Sequence, residues 1–198
     1  RLDNVVFVGN RGGEGGAVHL NVLNAAFTNV SFVGNTGAQG GAVYAFAGTH
    51  TFVDAILAFN ESPSGAAVHI DSAASTSLSF ATSDFFGHET ALGENFSSPV
   101  GSDGNVDTDP AFLGGASGDG AWDLRSAALG DLGDAASTDP DGSQAGMGAF
   151  GGPGAGGFDL DLDGSPGWWG PGAYGAAEAA AGWDCNDRDP DVNASNGC

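Results

Sequence analysis

Lysine is absent from this chain, and its only arginines are Arg1, Arg11, Arg125 and Arg188, set against 25 acidic residues for a net charge of −21. Phosphate backbones and anionic lipids are both held by clustered cations, so a surface this poor in them repels both. Nucleic acid and negatively charged membranes are therefore excluded as partners, and a bound cation is the natural one. Cysteine is nearly missing too, with only Cys185 and Cys198. No apolar run approaches the ~20 residues that a helix needs to cross a bilayer, and no signal peptide is visible.

What the chain has instead is a 25-residue period. Phe7-Val8-Gly9-Asn10 with Gly16-Ala17-Val18-His19 returns as Phe32-Val33-Gly34-Asn35 with Gly41-Ala42-Val43-Tyr44. A worn third copy is Leu57-Ala58-Phe59-Asn60 with Ala66-Ala67-Val68-His69. A fixed period of this size marks a solenoid, whose units bury their apolar faces only by stacking on one another. Apolar residues alternate within each unit, which selects strands over helices. Val18 and Leu20, Val43 and Ala45, Val68 and Ile70 face inward on that register, with His19, Tyr44 and His69 outward. A second strand buries Val5 and Phe7, Val30 and Phe32, Ala55 and Leu57, leaving Asn4, Asn29 and Asp54 outside. A third short strand is expected over 21–26 and 46–51, and Gly12, Gly13, Gly15 and Gly16 suit the corners. The sequence thus predicts an all-β, right-handed, three-sided parallel β-helix.

Stacking at the ~4.8 Å strand spacing places equivalent side chains above one another. Asn10, Asn35 and Asn60 are expected to form an internal amide ladder, and Leu2, Phe27, Phe52 and Phe80 a stack along another edge. A fourth turn, three residues longer, puts His88 where asparagine stood. The chain opens on Arg1 in mid-repeat without an initiator methionine, which reads as a processed product or a fragment.

The phrase Phe-x-Gly-Asn followed by Gly-Ala-Val resembles the repeats of the polymorphic outer-membrane protein type and related right-handed β-helix surface proteins. The later pieces Asn105-Val106-Asp107-Thr108-Asp109-Pro110, Asp123-Leu124-Arg125, Asp139-Pro140-Asp141-Gly142 and Gly148-Ala149-Phe150-Gly151 are similar to the terminal turns of that secreted bacterial class. The resemblance spans about 1–153 and implies a location outside the cell or on its surface.

Beyond the glycine-rich 151–157 the texture changes. Asp159, Asp161 and Asp163 alternate with leucine ahead of Gly164, so an extended loop turns three carboxylates to one side and then bends. This is the opening half of an EF-hand-like calcium loop. Position 12 of such a loop is Gly170 rather than glutamate, and acids that complete the shell return as Asp184, Asp187 and Asp189. The paired pattern is similar to the metal-binding motif found near the C-termini of large secreted bacterial proteins. Oxygen-only ligands favour calcium over zinc or copper. Residues 154–198 are thus expected to form an acidic calcium-binding appendage, with Trp168, Trp169, Tyr174 and Trp183 as its small core or as faces for a sugar. For Cys185 and Cys198 a mutual disulfide, free thiols and outside partners all stay open. Asp107-Thr108-Asp109 and Asp139-Pro140-Asp141 echo the acid spacing, and turn chemistry accounts for the latter.

Catalysis is not expected. A glycoside hydrolase needs a carboxylate pair about 5 to 9.5 Å apart, and Asp54 and Asp84 read as exposed ladder residues on neighbouring turns. The expected function is a structural or adhesive extracellular stalk stabilised by calcium. The competing readings are a filament of copies stacked end to end, and a protein that binds surface glycans or cleaves polysaccharide.

Overall fold

Among the described residues, alternating valine, phenylalanine and small residues make nine strands, β1 Leu2–Val8, β2 Arg11–Glu14, β3 Val18–Val33, β4 Thr36–Gln39, β5 Val43–Val53, β6 Ile56–Ala58, β7 Val68–Ile70, β8 Thr76–Ala81 and β9 Asp84–Phe86. The computed structural model describes residues 1–71, 76–88, 92–93, 97–113, 124–140 and 142–155, with only the backbone of 22 and 23. Among these residues there is no helix, and every pairing between the nine strands is parallel. The chain is an all-β parallel solenoid of about three turns.

The register reproduces the period. Leu2 lies beside Phe27, Arg11 beside Thr36, Val18 beside Val43, Phe27 beside Phe52 and Val43 beside Val68, each pair 25 apart. The offset becomes 28 between Phe52 and Phe80 and between Ile56 and Asp84.

Three positions per turn have left-handed backbone. One column holds Asn4, Asn29 and Asp54 (φ 50° to 55°), residue types that tolerate this region, and it bends β3 at its middle. A second holds Gly9, Gly34, Phe59 and Gly87, and a third Gly15, Gly40 and Gly65. Gly12 and Gly13, expected at corners, instead lie within β2, and the expected separate strand over 21–26 is continuous with β3. Gly16 is required for a different reason: a Cβ there would strike the carbonyl oxygen of Gly41 on the next turn.

Inside the coil, Val30, Phe32, Val43, Phe52, Leu57 and Val68 are fully buried in one cluster. Phe27, Phe52 and Phe80 stack with ring centroids 4.5 Å apart, and Phe7 lies 4.7 Å from Phe32. The asparagine ladder is present. Asn10 Nδ2 donates to Asn35 Oδ1 and Asn35 Nδ2 to Asn60 Oδ1, both at 2.9 Å, and each oxygen also accepts the preceding asparagine's backbone N–H. Spare amide protons go to the carbonyls of Phe7 and Phe32. His88 continues the column, its ring nitrogens facing the carbonyls of Asn60 and Leu57 at 3.2 and 2.9 Å. Burial pushes the imidazole pKa down while those carbonyls pull the other way.

The outer face of β1, β3 and β6 is apolar as well, and the chain returns to cover it. Leu124, Ala149 and Phe150 pack with Val33, and Leu129 and Met147 with Ile56 and Ala58. The described residues of 124–140 and 142–155 act as a strap laid across the rungs. Asn29 and Asp54, expected outside, are therefore only 2% and 1% exposed. Their polar atoms are claimed by the strap: Asn4 Nδ2 donates to the carbonyls of Ala149 and Gly151, Asn29 Nδ2 to that of Gly146, and Asp54 accepts the N–H of Asp134. Ser31 Oγ accepts the N–H of Ala149. Each bond replaces water that a buried amide or carboxylate would otherwise lose.

Candidate functional site

The six acids expected to hold calcium, Asp159, Asp161, Asp163, Asp184, Asp187 and Asp189, lie outside the described residues, as do Cys185, Cys198, Trp168, Trp169, Tyr174 and Trp183. Among the described residues no group of three or more His, Cys, Asp or Glu side chains is placed to hold a metal ion. Three other features carry chemistry.

The first is the column His19, Tyr44, His69, which alternates with core residues along β3, β5 and β7 and so faces away from the coil's interior. Ring centroids are 5.0 Å apart for His19 and Tyr44 and 5.3 Å for Tyr44 and His69. Facing outward leaves His19 exposed but not the other two rings, since Tyr44 and His69 are 3% and 7% accessible. Tyr44 donates its hydroxyl to Asp71 at 2.6 Å. That bond, followed by burial and the charges of Asp71 and Glu14, pushes the phenol up to about 12. Ser64 Oγ lies 3.0 Å from His69 Nδ1, the spacing of a nucleophile and its base. Among the described residues no carboxylate bonds to the other ring nitrogen of His69, the place of the group that orients the base in such a pair.

The second is a set of buried carboxylates under the strap and the 105–109 loop. Asp84 is 0% exposed, a correction to its expected place on an open ladder. Its Oδ1 accepts the N–H of Thr108 at 2.9 Å, while its Oδ2 is buried without a partner. Burial raises its pKa to about 7, the charges of Asp107 and Asp109 add to this, and the amides of Thr108 and Phe85 oppose it. Burial likewise raises Asp54, against bonds from the Thr82 hydroxyl at 2.5 Å and the Asp134 amide at 2.7 Å. Asp139 accepts the N–H groups of Gly146 and Gly152 within the strap. All three engage backbone amides in the interior, a docking role out of a polymer's reach.

The third is a surface groove of about 510 Å³ at the second corner, lined by Thr36, Phe59, Glu61, Ser62, Pro63 and Gly87 among others. Thr36 and Glu61 share a column on neighbouring turns. Phe59 stands in the glycine column with φ of 56° and is 44% exposed. The sequence reading took it as part of a worn repeat. The available signal was an aromatic residue where Gly9 and Gly34 occupy the same place.

No protein-family model matches the chain, and no curated protein or solved structure matches it significantly.

Proposed function

We propose that this chain is a non-catalytic structural or adhesive element of the cell surface or extracellular matrix, a right-handed three-sided β-helix whose acidic C-terminal stretch binds calcium. The observation that carries the reading is the set of unbroken side-chain columns, asparagine and phenylalanine, running through successive turns. Such columns make each rung's position depend on its neighbours and give a stiff, repetitive surface suited to display. The negative surface is consistent with divalent counterions holding the acidic stretch together. Beads coated with the folded chain are expected to be retained on cell-surface or matrix preparations in calcium and released by chelator. Equal retention of uncoated beads, or turnover of polysaccharide by the pure protein, would reject the reading.

A filament of copies stacked end to end is the second reading, favoured by the parallel register, in which equivalent residues 25 apart seat one turn on the next. Sedimentation over a concentration series decides it: polymers of growing length support stacking, and one species throughout removes it.

A further inference from the structure

We propose that the groove around Phe59 is a binding site for a neutral saccharide chain, with the Phe59 ring as its stacking platform. This names a partner for the adhesive reading and rests on it. The argument starts from backbone strain. The column Gly9, Gly34, Phe59, Gly87 has positive φ throughout, from 56° to 71°, and only the third turn places a side chain there. A bulky residue in this region is an outlier whose backbone is strained. Packing would justify that strain if the ring were buried, as Phe85 is at 4%, but Phe59 is 44% exposed.

Its surroundings hold the ring in one pose and leave its outer side open. The back of the ring rests on Gly87, where a Cβ would come within 2.7 Å of Phe59 Cδ1. Phe86 and Phe112 meet it edge-on at 5.5 and 6.5 Å. On the other side a Cβ at Gly34 would touch nothing within 4 Å, so the groove stays open toward the preceding turn. A fixed aromatic face beside a carboxylate and a hydroxyl matches a pyranose, which has an apolar C–H face and a polar rim. Glu61 offers an acceptor for sugar hydroxyls, and Thr36 lies beside it on the neighbouring turn. The groove's volume of about 510 Å³ falls within the range of ligand sites. The charge of −21 and the adjacent Glu61 select against uronates and sulfated sugars.

The test uses the full chain in calorimetric titrations with neutral β-1,4-linked tetrasaccharides of glucose, mannose and N-acetylglucosamine, and with tetragalacturonate as the anionic control. Phe59→Gly is the decisive variant, because glycine serves this position in the other turns and relieves the strain. Circular dichroism establishes that it folds. At least one neutral tetrasaccharide is expected to bind, about tenfold or more weakly to Phe59→Gly, with Phe59→Tyr retaining affinity. Tetragalacturonate is expected not to bind. No binding by any neutral probe, equal binding by folded Phe59→Gly, or tighter binding of the anionic control would each overturn the inference. Bead retention that persists in Phe59→Gly alongside blank titrations would sink this site and leave the adhesive reading standing.

Discussion

Replacing Asn35 by alanine tests whether the asparagine column holds the coil together. Asn35 is fully buried, and its side chain takes part in four hydrogen bonds: it accepts the backbone N–H and Nδ2 of Asn10 and donates to Asn60 Oδ1 and the Phe7 carbonyl. A typical hydrogen bond contributes a net ~1 kcal/mol, and a buried group left without its partner costs ~1–3 kcal/mol. The Asn60 oxygen keeps the backbone N–H of residue 35 and the exposed Asn10 can turn to water, so the Phe7 carbonyl and the weakened Asn60 oxygen carry most of the loss. The expected destabilisation is about 3 kcal/mol. Asn10→Ala, on the exposed rung, gives up one bond to Asn35, whose oxygen keeps the backbone N–H of residue 10, so about 1 kcal/mol or less is expected. Urea unfolding followed by circular dichroism measures both, provided the slope is unchanged, since a solenoid that unfolds in stages would alter it. Equal effects for the two variants, or a loss below about 1 kcal/mol for Asn35→Ala, would show that the amides fill space without joining the rungs.

Other outcomes follow from the buried and the acidic groups. Because the pKa of Asp84 is raised from 3.8 to about 7 in the folded chain, its contribution to stability is fully present below pH 3.8 and lost as pH rises through about 7. The shift, caused first by burial, sets an upper limit of about 4 kcal/mol. Asp84→Asn, which mimics the protonated form, is expected to flatten the fall in melting temperature between pH 4 and pH 8; a parallel profile would refute the assignment. Calcium is expected to raise the melting temperature and chelator to lower it, with most of the difference lost in Asp161→Ala. Coincident melts of the wild-type chain with calcium and with chelator would remove the metal from the proposal.

The solenoid was legible because stacking forces like residues into columns, and a column shows in sequence as a fixed period: Asn10, Asn35 and Asn60, or Phe27 and Phe52. The strap was not legible. Its hydrogen bonds to the rungs join residues 80 to 147 apart, as between Asp54 and Asp134 or Asn4 and Gly151, and its sequence has no period to announce where it lies. Asn4, Asn29 and Asp54 therefore read as an open ladder. The missed cue was their neighbours: Val6, Val8, Val33, Ile56 and Ala58 make the outer face of the same strands apolar, and such a face needs a cover. The groove escaped for a related reason, since a single Phe59 among glycines looks like decay of the repeat until its positive φ and exposed ring are seen. The acids of 159–189 lie outside the described residues.

The asparagine column is vectorial. In Asn35 the carboxamide turns its oxygen toward the N-terminal neighbour and its nitrogen toward the C-terminal one, and the amides on either side follow the same sense. A stray strand arriving in the opposite chain direction would not present its backbone and amide groups in the order this arrow demands. The corner thereby admits segments of one polarity only, a built-in safeguard against mispairing for a protein made of nearly interchangeable turns.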